Sequence, residues 1–143
     1  MSIIKKASAI YHSLGKKAKA SISTESGALK DQPYGFNTRF EDQPGTNPEE
    51  LIAAAHASCF TMALSFALEG EGYSSGQLKT EADVSLDKDG DGFTVTKSAL
   101  SLTAQVDDID GDEFERIAQT AKANCPISKL LDTEITLEYI LNQ

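Results

Sequence analysis

The chain has 143 residues, 40% of them apolar, and a formal net charge of -9. That length suits one globular domain with a moderate core. The negative charge argues against nucleic acid, whose phosphates demand basic patches, and against anionic membrane surfaces.

The opening Met1-Ser2-Ile3-Ile4-Lys5-Lys6 runs into mixed residues rather than an apolar leader, so a cytoplasmic protein is expected. Residues 3–11 and 18–24 alternate in part around a basic turn near Gly15, which predicts a hairpin. Residues 25–32 are polar and turn-like. Residues 33–40, Pro-Tyr-Gly-Phe-Asn-Thr-Arg-Phe, read as a loop entering a short strand with alternating aromatics. The Pro44-Gly45 turn then leads to a helix start: Asn47 can cap, Pro48 fits the first helical position, and Glu49 and Glu50 suit the positive end of the dipole.

From Leu51 to Leu68 there is no charge, and apolar residues occupy every face. A helix of that kind is a buried one. It is long enough to raise the question of a membrane span. Its alanines, histidine and hydroxyls, its flanking glutamates and the lack of a lysine-rich loop favour a core helix. Gly70 and Gly72 stop it. Residues 78–86 and 93–106 alternate as strands, joined by a glycine-rich hairpin loop at 87–92. Apolar positions 109, 114, 117, 118 and 121 have helical spacing. Asn124-Cys125-Pro126 breaks that helix, residues 127–131 form a short one, and 133–141 alternate as a final strand. The order is α+β, in a single domain over 1–143. One small sheet does not cover so apolar a helix, so a homodimer packed around the central helices is expected.

Several residues invite chemistry. Asp87-Lys88-Asp89-Gly90-Asp91-Gly92 matches half a calcium loop, but residue 98 is serine where a bidentate glutamate is required, and a strand pattern follows. Calcium is rejected. His56 lies three residues before Cys59 on one helix side. A Cys–His pair or half a zinc site is conceivable there, but a buried histidine hydrogen-bonded to backbone is the preferred reading. Arg39 sits among aromatics just before the central helix, with Glu49 and Glu50 the nearest acids. It makes a structural salt bridge or, more sharply, also faces the Cys59 sulfur and lowers its pKa. Cys125 precedes a proline suited to a helix start, where local N–H groups favour a thiolate or an exchange-competent sulfur. Each cysteine is by default a small buried hydrophobe, but together they could form a redox couple. A thiolate that meets peroxide becomes a sulfenic acid, which a second thiol converts to a disulfide.

The run Thr46-Asn47-Pro48-Glu49-Glu50-Leu51-Ile52-Ala53-Ala54-Ala55-His56-Ala57-Ser58-Cys59-Phe60-Thr61-Met62-Ala63-Leu64 resembles the signature of the OsmC/Ohr family. Asn124-Cys125-Pro126-Ile127-Ser128 resembles its second cysteine motif, and residues 33–40 and the chain length resemble the OsmC branch. The resemblance covers essentially the whole chain. It implies a thiol-dependent peroxidase that reduces organic hydroperoxides, and hydrogen peroxide less well, in an intertwined α+β homodimer with antiparallel sheets around the central helix. It implies Cys59 as the peroxidatic thiol, Cys125 as the resolving one, and Arg39 with Glu49 as the activating pair, without metal or bound cofactor. Reductant would come from a dithiol of the dihydrolipoamide type. A peroxide sensor or a ligand-binding module with the same cysteines is the alternative. Glu49 and Cys59, ten residues apart on one helix, are separated by roughly 15 Å. A composite site is therefore expected, with Glu49 and Arg39 from one chain and Cys59 from its partner.

Overall fold

A computed structural model describes all residues, Met1–Gln143. It divides into two compact units, Met1–Leu51 and Ile52–Gln143.

The first unit holds a three-stranded antiparallel sheet of β1 (Ala7–His12), β2 (Lys19–Thr24) and β3 (Gln32–Tyr34), in that spatial order. Register runs from Ala7↔Thr24 to His12↔Lys19, so the basic stretch around Gly15 is the expected hairpin turn. Every residue of β1 is exposed, and so are the apolar Ile3, Ile4, Ile10 and Leu14. A small helix, α1 (Phe36–Phe40), stands where a strand was expected. The alternating aromatics misled because positions 36 and 40 share a face in both periods. In the helix their rings meet at 5.1 Å between centroids, and the Thr38 hydroxyl accepts the Gly35 N–H at 2.8 Å, closing the first turn. Gly45 allows the next loop to press against the chain: a Cβ there would lie 2.6 Å from the Pro33 carbonyl oxygen.

Helix α2 (Pro48–Gly70) begins as its residues dictate, with the Asn47 side chain accepting the Glu50 N–H at 2.8 Å. Its uncharged length meets the size and apolarity of a membrane span, and only 22% of its most apolar window is buried. Burial follows one stripe, His56, Phe60, Leu64 and Leu68, at four-residue spacing. The opposite stripe carries Met62 and Phe66, which are 57% and 65% exposed. The helix expected to be buried all round is thus covered by its own chain on one side only.

The second unit packs that buried stripe against a sheet and helix α3 (Gly111–Asn124). The sheet order is β4 (Gly76–Asp89), β5 (Gly92–Val106), β6 (Glu134–Leu141). β4 and β5 form the expected hairpin, with a register shift at Ser85/Leu86. β6 runs parallel to β5, from Lys97↔Glu134 to Ala104↔Leu141, so the sheet is mixed rather than wholly antiparallel. A parallel neighbour needs a crossover, and α3 with the short α4 (Pro126–Leu130) supplies it. Alternate residues of β5 face inward: Leu100, Leu102, Ala104 and Val106 are buried with Phe114, Ile117, Ala118 and Ala121 of α3. The class is α+β, built around a long central helix.

Candidate active site

Cys59 lies half-buried on α2 beside the core, and Cys125, fully buried, caps α3. Cys125 leaves the helical conformation (φ -56, ψ 125) because the ring of Pro126 disfavours it in the preceding residue. Its N–H still closes α3 on the Ala121 carbonyl at 3.0 Å, while Pro126 opens α4 at a position that needs no donor. This kink turns the Cys125 thiol inward. Both cysteines are free thiols, and Cys125 lies near enough to Cys59 to raise its pKa. Burial pushes the Cys59 thiol above its ordinary pKa, and the neighbouring Cys125 thiol adds to this; the Ile127 backbone pulls the other way. The arrangement is a pair of neighbouring free thiols that an oxidant can join as a disulfide.

Arg39 and Glu49 form a two-pronged pair: Nε donates to Oε1 and Nη2 to Oε2, both at 2.8 Å. The Glu49 side chain is only 12% exposed and that of Arg39 34%, so the pair is partly shielded from water. The hydrogen bond to Glu49 raises the Arg39 pKa, against a smaller opposing effect of burial. Glu50 is engaged elsewhere, accepting the Thr46 hydroxyl at 2.8 Å. The guanidinium also lies 5.2 Å from the centre of the Phe40 ring. It borders a cleft of about 350 Å³ walled by Tyr11, Tyr34, Phe36 and Phe40. The groups that shift the Cys59 pKa are burial, Cys125 and the Ile127 amide. Arg39 is not among them, contrary to the expectation that it lowers the Cys59 pKa.

His56 departs from its expected setting. Its ring bonds two serine hydroxyls rather than backbone, Nδ1 to Ser98 Oγ at 2.6 Å and Nε2 to Ser128 Oγ at 2.8 Å. It is fully buried, and burial lowers its pKa. Neither serine was singled out from sequence. A usable signal existed for one: Ser128 follows Cys125 by the same three-residue step by which His56 precedes Cys59. The acidic hairpin is tied internally, with Thr94 donating to Asp89 at 2.7 Å and Thr96 donating to Asp87. No group of three or more His, Cys, Asp or Glu side chains is placed to hold a metal.

The OsmC-like protein family model matches residues 40–140. Peroxiredoxin OsmC of Escherichia coli (strain K12) is 54% identical over 141 residues, covering 99% of each chain. Organic hydroperoxide resistance protein OhrB of Bacillus subtilis (strain 168) is 28% identical over 109 residues, covering 76% of this chain and 78% of its own. The crystal structure of Bacillus subtilis OhrB superposes with a TM-score of 0.71 over 96% of this chain and 98% of that one. An OsmC-like protein from Mycoplasma pneumoniae, at 13% identity, shares the fold with a TM-score of 0.77 over the full length of both chains. The chain belongs to the OsmC-like family.

Proposed function

We propose that this protein is a thiol-dependent peroxidase that reduces organic hydroperoxides, and hydrogen peroxide less well, through a Cys59–Cys125 disulfide. The observation that carries the reading is the pair of free, neighbouring thiols, supported by the names of the relatives, a peroxiredoxin and a hydroperoxide resistance protein. The Cys59 thiolate attacks one peroxide oxygen. The O–O bond breaks, the alcohol leaves with a proton, and Cys59 becomes a sulfenic acid. Cys125 then attacks that sulfur, the S–S bond forms and water departs. A dithiol such as a dihydrolipoamide-type reductant exchanges both sulfurs back to thiols. No metal or cofactor enters the scheme.

The thiolate needs a cation, because burial holds the Cys59 pKa up. Arg39, oriented by Glu49, is the candidate, and we assign it to the Cys59 of a second copy. Glu49 and Cys59 are ten residues apart on α2, roughly 15 Å along its axis. Two α2 helices packed antiparallel about a two-fold axis bring each Glu49 toward the partner's end of the helix. The exposed Met62–Phe66 stripe offers the apolar contact for that packing. The functional unit is then a cytoplasmic homodimer of one OsmC-like domain per chain, with no role for nucleic acid or membrane.

Steady-state consumption of an alkyl hydroperoxide with excess dithiol is the test. Turnover that depends on Cys59 and is indifferent to EDTA is expected; no turnover, or turnover surviving in Cys59→Ser, overturns the reading.

A further inference from the structure

We infer that His56 is a positioning residue for the disulfide step: through Ser128 it holds the Cys125 segment against Cys59. The inference deepens the proposed reading and rests on Cys59 and Cys125 acting as a redox pair.

The imidazole is the centre of a three-part buried chain, Ser98–His56–Ser128, that joins β5, α2 and the short α4. The ring is fully buried, and burial favours its neutral form, which carries one N–H and one bare nitrogen. One serine therefore accepts from the ring and the other donates to it, so both ring positions are held and the imidazole cannot rotate without losing a bond. Such a ring is a rigid strut.

What it props is a weak element. Helix α4 has only five residues, three of which, Pro126, Lys129 and Leu130, face solvent. Its inward side consists of Ser128 and the half-buried Ile127, next to Cys125. Those neighbours act on the reactive sulfur: the Cys125 thiol raises the Cys59 pKa and the Ile127 backbone lowers it. Ser128 is three residues after Cys125, and His56 three residues before Cys59. The His56–Ser128 bond thus lies one helical turn from the sulfurs on both elements and fixes their separation.

In the step concerned, the Cys125 thiolate attacks the Cys59 sulfenic acid, the S–S bond forms, the S–O bond breaks, and hydroxide leaves with a proton as water. The geometry matters because a misplacement of about 1 Å in an attack costs on the order of a hundredfold. The first step, peroxide on Cys59, needs no such alignment with Cys125. The strut therefore acts chiefly on closing, and sulfenic acid formation feels it only through the lesser effect of the Ile127 backbone on Cys59.

The experiment reads the two steps separately by rapid mixing of fully reduced protein with one equivalent of alkyl hydroperoxide. A sulfenic acid trap reports the first step and loss of thiol pairs the second. Ser128→Ala is expected to form sulfenic acid within about twofold of the unaltered rate and to close at least about tenfold more slowly. Ser128→Thr, which keeps the hydroxyl, restores closing.

A second pair of variants makes the same distinction at the ring. The His56→Gln amide reaches the position of Nε2 and keeps the Ser128 contact; the His56→Asn amide reaches that of Nδ1 and keeps Ser98. Gln closes near the unaltered rate and Asn as slowly as Ser128→Ala. Equal closing rates in Ser128→Ala and the unaltered protein, or in the Asn and Gln variants, overturn the inference. The same four variants are run with oxidised glutathione, where Cys125 displaces glutathione from a Cys59 mixed disulfide to give glutathione thiol and the closed disulfide. This arm reads closing without peroxide. Failure of the peroxidase reading shows as no hydroperoxide reaction in any protein, while failure of the strut shows as equal closing with glutathione.

Discussion

Burial leaves the Cys59 thiol a weaker acid than a free one, yet only the thiolate attacks a peroxide. Two local groups divide the effect: the Ile127 backbone favours the thiolate, and the thiol of Cys125 does not. In the proposed site Arg39 supplies what is missing. Arg39→Lys keeps a charge but loses the planar fork that grips Glu49 with two bonds. With the guanidinium no longer held by two bonds, Cys59 alkylation at neutral pH should slow by about tenfold, one pKa unit of lost thiolate stabilisation. The alkylation pH profile should shift upward in the variant; an unchanged profile would leave Arg39 a structural ion pair. The two cysteines separate in the same way. Cys59→Ser should lose both turnover and peroxide-driven oxidation, whereas Cys125→Ser should consume one equivalent and stop at a trappable sulfenic acid. Normal dithiol turnover by Cys125→Ser would end the resolving role.

At the scale of elements, what was legible in the sequence was local. The cap and acidic start of α2, the hairpin of β4 and β5, the spacing of α3 and the break at Asn124-Cys125-Pro126 all follow from neighbours in sequence. The Arg39–Glu49 pair was within reach as well, ten residues apart. The partners of His56 were not, because Ser98 and Ser128 come from 42 and 72 residues away and only the fold joins them. Residues 36–40 failed for a different reason, their aromatic spacing serving strand and helix alike.

Helix α3 carries two predictions of its own. Asp110 accepts the Glu113 N–H at 2.9 Å as its cap, and Asp110→Ala should cost about 1 kcal/mol in urea unfolding. Two tyrosines donate to its carboxylates at 2.5 Å, Tyr73 to Glu113 and Tyr139 to Glu115, and these bonds push both phenols up to about 12. An unfolded tyrosine titrates near about 10. Between those values the folded protein holds protons that the unfolded chain has lost, so stability is full below about pH 10 and falls as pH rises toward 12. Unfolding midpoints measured across that window should fall, and should fall less in the Tyr73→Phe, Tyr139→Phe double variant.

Large apolar side chains stand exposed in both units, among them Ile3, Ile4, Ile10 and Leu14 in the first and Met62 and Phe66 in the second. The first unit has a three-stranded sheet whose β1 is exposed throughout, and the buried core cluster lies wholly in Ile52–Gln143. Three strands need a covered apolar face to be stable. The second unit leaves Met62 and Phe66 open on α2. Both deficits have one remedy, a second copy, and the proposed site asks for the same thing. Mixing denatured Cys59→Ser and Glu49→Ala chains and refolding them tests it. Each single variant should be nearly inactive, because every site in its homodimer lacks one partner. In a mixed dimer, one site combines both altered residues and the other combines an intact Glu49 with an intact Cys59. Random pairing makes half the dimers mixed, so roughly a quarter of all sites should recover activity. If Glu49 served Cys59 of its own chain, every site would stay defective and refolding would restore nothing. Light scattering on the same samples separates that result from a failure to pair. A dimer without recovered activity would place both residues in one chain, and a monomer would remove the homodimer from the proposal.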